Sequence, residues 1–276
     1  MISKRYPVAL ALLLLAGGCG LGDDPEATRT FTAHDIEFPS GDVATEPAQP
    51  APAQGRSETI DNELYEFKFA WPAAAAAYPG LNDLLGRKLA AAQAEVATNA
   101  KEEKEAAEQD GFPFRKHSSE TDWKVVTSIP GWFSLSSDSY FYTGGAHGMS
   151  MSDALLWDEK AGTARKVADL FTSEGALRSA IQSDFCNALD KERSKRRGTP
   201  VNRESGEMFS ECIDPLASTL ILGSANGQTF DRIGVLIAPY EAGPYAEGEY
   251  EVTLPVSAAV MRALKPQYRT SFSPGR

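Results

Sequence analysis

Cysteine and histidine are the residues of this chain best suited to chemistry, and there are only three of each. His34 lies in a polar stretch and His117 in an expected loop, and neither has a second histidine at the spacing of a metal site. The motifs of zinc proteases, α/β-hydrolases, dinucleotide-binding folds and P-loops do not occur. The sequence therefore predicts no metal, no cofactor and no catalytic residue, and it favours a protein that is not an enzyme.

One motif imitates a metal-dependent catalytic site. Thr229-Phe230-Asp231 resembles the start of the metal-binding motif of polysaccharide deacetylases, but Arg232 follows where that motif has a second aspartate, and no H-x-x-x-H follows. We therefore interpret Asp231 as a turn residue. The sequence has 38 acidic residues, and two of their carboxylates could converge in the fold as they do in glycosidases. A peptidoglycan-modifying hydrolase with an unrecognised carboxylate site is accordingly the alternative function.

The first cysteine follows an apolar leader. Two basic residues precede an apolar run over residues 8–16, which is shorter than the about 20 residues of a membrane span. Leu15-Ala16-Gly17-Gly18-Cys19 resembles a bacterial lipobox. We predict a lipoprotein signal peptide over 1–18 and a membrane anchor through lipidated Cys19, since two or more acyl chains hold a protein stably. An ordinary signal peptide beside an unmodified cysteine is the competing interpretation.

The leader predicts a lipid-anchored protein of the bacterial cell envelope that faces the periplasm or the cell surface. Gly20 and Leu21 follow Cys19 where some inner-membrane lipoproteins carry a retention aspartate. They favour the outer membrane over the inner membrane in a cell that has both.

The two remaining cysteines, Cys186 and Cys212, are expected to form a disulfide because the envelope is oxidising and their number is even. The loop that they close has about 26 residues, for which the chain-entropy relation gives about 3–4 kcal/mol. Their Cα atoms should then lie about 4.4–6.8 Å apart. Two buried free thiols are the competing interpretation.

The composition is that of a folded acidic protein. The 276 residues are 42% hydrophobic, and 38 acidic against 27 basic side chains give a formal charge of −11. Loss of the two basic residues of the leader changes it to −13. A nucleic acid is not expected as a partner, because a polyanion is repelled by such a surface.

The pattern along the chain predicts an α+β fold of antiparallel meanders with two main helices packed on them. Alternating strands are expected near Tyr65–Trp71, across residues 123–157 and in the last third; Trp123, Val125 and Ile129 share one parity, as do Met149, Met151, Leu155 and Trp157. Helices are expected from about 80 to 110, about 173 to 197, and in a final short piece near 256–264.

The expected organisation has five parts. They are the signal peptide over 1–18, a lipidated cysteine with a flexible proline-containing tether over 19–58, an N-terminal half over 59–163, a C-terminal half over 164–268, and a tail over 269–276. The two halves are expected to pack closely together.

Two stretches resemble the RsiV-like family, in which domains of unknown function 4163 and 3298 are paired. The first runs from Tyr142-Thr143-Gly144-Gly145-Ala146-His147-Gly148 to Val167-Ala168-Asp169-Leu170-Phe171. The second runs from Val235 to Gly248 and contains Pro239-Tyr240-Glu241 and Pro244-Tyr245. The resemblance covers about residues 59–265 and implies that the halves correspond to domains 4163 and 3298.

The resemblance implies a binding module of the cell envelope. One relative is a membrane-bound anti-sigma factor whose extracellular part binds lysozyme, and another joins these domains to a peptidoglycan deacetylase. This sequence shows neither an anti-sigma segment nor a deacetylase domain. The expected partner is therefore a cationic wall-active protein such as lysozyme, or another basic protein, or peptidoglycan itself.

The candidate binding residues lie in the two loops that carry the resemblance. Glycines 144 and 145 suit a tight turn, His147 either caps that turn or contacts a ligand, and Tyr240 either plugs the end of the sheet or joins the binding surface. The full set is Tyr142, Gly144, Gly145, His147, Tyr240, Glu241, Tyr245 and Glu247.

Overall fold

The computed structural model describes residues 54–275. The signal peptide over 1–18, the lipidation of Cys19 and nearly all of the tether fall outside the described residues. The described chain is an α+β protein with one six-stranded sheet and one three-stranded sheet, as the sequence predicted.

The six-stranded sheet has the chain order β1 to β6 across its width. Its strands are β1 Arg56–Asp61, β2 Tyr65–Trp71, β3 His117–Ile129, β4 Trp132–Tyr142, β5 Met149–Asp158 and β6 Thr163–Arg165. Every neighbouring pair is antiparallel except β2–β3, which is parallel. β2 and β3 are parallel because a helical crossover connects them, and such a crossover lets the second strand run in the same direction as the first. Folded structure was expected to begin at residue 59, but β1 already begins at Arg56.

The long helix α2, Pro79–Asp110, packs on one face of this sheet after the short helix α1, Ala73–Ala76. Leu81, Leu85, Leu89 and Val96 recur at helical spacing and are buried against the aromatic side chains of β2. Gly111 ends the helix with a left-handed backbone, φ 74°.

The three-stranded antiparallel sheet consists of β7 Thr219–Gly223, β8 Arg232–Ile237 and β9 Tyr250–Pro255. Helix α3, Glu174–Arg197, covers it, with Ser173 accepting from the backbone N–H of Ala176 as an N-cap. A second core forms here between α3, this sheet and the opposite face of the six-stranded sheet, to which Trp132 and Leu156 contribute.

The end of the chain also belongs to the second core. Helix α4, Ala258–Ala263, is shorter than the expected 256–264, and a 3-10 helix over Pro266–Ser271 follows it. Phe272, which was expected in a tail, is buried and its strand-like backbone pairs with Phe230. None of the described helices has both the length and the apolar character of a membrane span.

One parity prediction was wrong: a bulge between Val125 and Thr127 shifts the register of β3 against β4, so Ile129 lies in the second core while Trp123 lies in the core under α2. Val125 keeps the register of Trp123 but is 41% exposed. Met151 is 50% exposed because it lies on the α2 side of β5, beyond the part of that face that α2 covers. Leu155 and Trp157, further along the same strand, are buried as expected.

Candidate functional site

The two loops singled out by the sequence meet in one cluster of aromatic rings, here called the His147 cluster: His147, Tyr240 and Tyr245. The ring of His147 stacks on that of Tyr245 with centroids 3.9 Å apart and planes 24° apart. Tyr240 lies 6.2 Å from His147 and 5.7 Å from Tyr245. His147 comes from the β4–β5 loop, and the two tyrosines come from the β8–β9 loop.

Hydrogen bonds fix the orientation of the His147 ring. Nδ1 lies 2.9 Å from the carbonyl oxygen of Gly148, and Nε2 lies 3.2 Å from the hydroxyl of Tyr240. A carbonyl only accepts, so Nδ1 carries the hydrogen in the bond to Gly148. His147 therefore bonds to the carbonyl of the next residue in its own loop and also contacts the second loop.

The β4–β5 loop is held by its own backbone carbonyls. The hydroxyl of Tyr142 donates to the carbonyl of Gly145 at 3.1 Å, and Arg115 donates to the same oxygen at 3.2 Å. Gly144 has φ 85°, which a residue with a side chain rarely adopts, whereas Gly145 does not need a positive φ. The tight turn expected from the glycine pair thus depends on Gly144.

Gly148 allows this loop to lie close to β4. A Cβ atom at Gly148 would overlap the ring of Tyr140, which is itself 39% exposed. The backbone beside His147 therefore packs directly on an aromatic ring.

Tyr240 has an unusual backbone. Its φ of 71° is left-handed, which costs a residue with a side chain roughly 1–2 kcal/mol. The conformation is held because its N–H donates to Gly243 and the N–H of Glu241 donates to Ala238. The ring is 48% exposed. Tyr240 does not plug the end of the sheet, which was the other interpretation.

A buried arginine of α3 anchors this strained loop. Arg193 is fully buried; its Nε donates to the carbonyl of Ala242 at 2.8 Å and its Nη1 donates to that of Glu211 at 2.8 Å. Desolvation, and next the neighbouring Arg197, lower the pKa of Arg193. The basic end of α3, which the sequence explained by the helix dipole, therefore also fixes the β8–β9 loop.

Arg197 holds the other end of the loop. It donates from Nε and Nη2 to the two carboxylate oxygens of Glu247 at 2.8 and 2.9 Å, and Tyr250 donates to the same carboxylate. These bonds, with that from Arg197 strongest, hold the pKa of Glu247 below its ordinary value. Glu247 is thus engaged in a largely buried ion pair and is not presented to a partner.

Cys186 and Cys212 form the predicted disulfide, and their Cα atoms are 5.5 Å apart. Cys212 follows Glu211, whose carbonyl accepts from Arg193. The disulfide therefore ties down the segment to which the anchoring arginine is bonded.

Acidic side chains lie in the loop of Tyr240 and in a depression that is also lined by Tyr140, the ring that packs on Gly148. Glu241 accepts from the hydroxyl of Ser218 at 2.9 Å. A depression of about 310 Å³, here called the acidic depression, is lined by Glu120, Asp122, Asp138 and Glu249, with Lys68 as its one lining cation among the described residues. Partial desolvation, and next the charge of Asp138, raise the pKa of Glu249.

The structure brings five of the predicted residues together: His147, Tyr240 and Tyr245 in the cluster, and Tyr142 and Gly145 in the turn below it. Glu241 and Glu247 serve mainly to hold the loop. Sequence reasoning missed Arg193 and Arg197, whose only signal was a surplus of cations at the end of α3.

Asp231 has the structural role that the sequence suggested. It is buried before β8, and its carboxylate accepts from the N–H of Ala225 at 2.9 Å. Within residues 54–275, no group of three histidine, cysteine, aspartate or glutamate side chains is placed to hold a metal ion.

The family model described as "Deacetylase PdaC" matches residues 58–150, which is about a third of the chain and runs from β1 to the start of β5. It includes the loop of His147 but not the loop of Tyr240. No curated protein matches the sequence.

Two solved structures are similar. A member of the DUF3298 family from Bacteroides fragilis is 15% identical, covers 76% of this chain and 92% of its own, and has a TM-score of 0.51. A DUF3298 family protein from Pseudomonas aeruginosa is 19% identical, covers 82% of this chain and 98% of its own, and has a TM-score of 0.44. The first likeness shows that this chain has the fold of a DUF3298 protein.

Proposed function

We propose that this protein is an envelope-anchored binding module and that the His147 cluster with its acidic surroundings binds a cationic wall-active protein. The observation that carries the proposal is the meeting of two loops, far apart in the sequence, in an exposed set of rings. Tyrosine is enriched at protein interfaces because it gives a large contact area and a hydroxyl at small entropic cost.

The way in which the loop is built supports this role. The left-handed Tyr240 costs stability, yet Arg193, Arg197 and the neighbouring disulfide hold it in place. Strained residues that the surroundings over-determine are typical of binding sites. A pre-formed loop also spares a partner the entropy of ordering it.

Charge supports a basic partner. The chain carries −11, and carboxylates outnumber cations in the lining of the acidic depression. Complementary charge speeds association and selects against acidic proteins. The lipid anchor at Cys19, the envelope location and the pairing of domains 4163 and 3298 belong to the same proposal and derive from the sequence.

Calorimetry tests the proposal directly. The purified protein is titrated with lysozyme, and separately with cytochrome c as a basic protein without activity on the wall. We expect tighter binding of lysozyme, and Tyr245→Ala should weaken it at least tenfold. Phe112→Ala, which removes an aromatic ring that is 71% exposed elsewhere, is the matched control. Absent binding, or equal affinity for both basic proteins, contradicts the proposal.

A peptidoglycan-modifying hydrolase is the second candidate. It is favoured by the family model named for a deacetylase and by the two carboxylates Glu249 and Asp138, which line one depression, where partial desolvation and next the charge of Asp138 raise the pKa of Glu249. Mass spectrometry of peptidoglycan fragments incubated with the protein tests it. Glu249→Gln should abolish turnover and Glu251→Gln on the exposed side of β9 should not. Unchanged fragments eliminate this candidate.

A further inference from the structure

A second concave surface lies on the other side of the six-stranded sheet. This cavity of about 410 Å³, here called the α2 groove, is bounded by the middle of α2 and by β3, β4 and β5. The three-stranded sheet packs against the opposite face, so the groove shares none of the three rings of the His147 cluster. Its volume is in the range of small-molecule sites.

His117 in the wall of the groove has unsatisfied hydrogen-bonding groups. The sequence placed it in a loop, but it is the first residue of β3 and is only 2% exposed. Neither ring nitrogen has a partner among the described residues. Burial holds the pKa of His117 below its ordinary value, so the neutral ring offers one donor and one acceptor. Buried polar atoms of this kind are rare because they cost free energy.

The groove also contains an uncovered apolar surface. Phe141 is 37% exposed and Met151 is 50% exposed. Phe141 pairs with Ser119 of β3 and with Met149 of β5, and therefore shares one face of the sheet with Met151 two residues further along β5. A half-exposed ring beside a cavity offers a flat apolar face to a ligand.

Most of the rest of the lining is polar, and none of it among the described residues carries a positive charge. Ser119, Asn99 and the hydroxyl pair of Thr121 and Ser139, 3.1 Å apart, contribute neutral hydrogen-bonding groups. The lining includes two glutamates and, among the described residues, no lysine or arginine. These groups disfavour an anionic ligand by charge, and a wholly apolar ligand would leave the hydroxyls and the imidazole without partners.

We propose that the α2 groove binds a neutral oligosaccharide. A pyranose ring has apolar C–H faces that can lie on Phe141, and its hydroxyl or acetamido groups can bond to His117 and Asn99. This inference does not rest on the proposed function, since it needs none of the three rings of the His147 cluster and concerns a different class of ligand.

Titration of the full-length protein with chitotriose and with maltotriose tests the inference, with calorimetry and imidazole ¹⁵N NMR as readouts. At least one of the sugars should bind and shift the ring nitrogens of His117 while leaving those of His147 unchanged. Phe141→Ala should weaken binding at least about tenfold, the loss expected for one aromatic contact. Phe112→Ala should bind like the unmodified chain.

Three results would overturn the inference. The first is that neither sugar binds at millimolar concentration. The second is equal affinity of the Phe141→Ala and Phe112→Ala variants for the sugar. The third is a change in the ¹⁵N resonances of His147 instead of those of His117. Binding of an apolar peptide that neither sugar displaces would reassign the groove to a protein partner. Because Phe141 is half-exposed, its truncation should leave the fold intact, which the circular dichroism of the variant checks. Lysozyme binding is measured separately, so either proposal can fail alone.

Discussion

Replacement of Arg193 by methionine tests how the candidate site is held together. Methionine keeps most of the length of the side chain and its apolar packing but removes the guanidinium. The carbonyls of Ala242 and Glu211 then lose donors that lie 2.8 Å away in the present structure. Ala242 keeps only the more distant Nη2 of Arg197 at 3.3 Å.

The expected loss of stability is about 3 kcal/mol. Hydrogen bonds to charged groups each contribute about 1.5–3 kcal/mol, and two are lost. The loss is less than the sum because the variant no longer buries a guanidinium whose Nη2 has no partner among the described residues. Once the carbonyl of Ala242 has lost its bond to Arg193, the backbone of Tyr240 should also relax from its left-handed conformation.

Urea unfolding with the disulfide intact measures the loss of stability, and the contacts between the His147 and Tyr240 rings in NMR measure the relaxation of Tyr240. Arg203→Met is the matched control, because Arg203 pairs with Asp190 at the surface and such pairs contribute about 0–1 kcal/mol. A loss in Arg193→Met no larger than that of the control, with the ring contacts unchanged, would refute the anchoring role.

Three further predictions concern the same chain. Reduction of Cys186–Cys212 should lower the free energy of unfolding by about 3–4 kcal/mol or less, measured by urea unfolding with and without reductant, and an unchanged midpoint would contradict it. The Arg197–Glu247 pair should stabilise the protein fully above pH 4.5 and lose its effect as the pH falls through the lower folded-state pKa, so Glu247→Gln should flatten the acid side of the stability curve. Cys19→Ser should abolish acyl labelling and release the protein from membranes, and continued membrane association of the variant would contradict lipidation.

Local patterns predicted the elements well where one face of an element is buried. The stripe of α2 and the alternation of β2 each depend on burial by a single partner, so their periods are visible in the sequence. The prediction of one shared face failed at Ile129, which a bulge in β3 places in the other core from Trp123. Val125 and Met151 lie on the predicted faces but are 41% and 50% exposed, and the period of a strand encodes neither the bulge nor how far a face is covered.

The site residues were predicted as members of two loops but not as one cluster. Their types indicated a binding surface, whereas the pairing of His147 with Tyr240 depends on how two sheets pack. Arg193 was harder to recognise, because a cation near the end of a helix has a sufficient local explanation in the helix dipole. His117 was missed for the opposite reason: its burial depends on the cover that α2 provides, far from it in sequence.

The His147 cluster depends on both parts of the chain. Tyr240 and His147, which share a hydrogen bond, are 93 positions apart. Tyr240 lies in a loop between strands of the three-stranded sheet, and His147 lies in a loop between strands of the six-stranded sheet. The matched family model ends at residue 150 and therefore includes only the histidine side. The tyrosine side is held by α3 through Arg193 and Arg197, and by the disulfide that fixes Glu211. A protein with only the matched region would thus have the turn at Gly144 without the rings on which His147 stacks, so the binding proposed for the cluster requires the complete two-sheet fold.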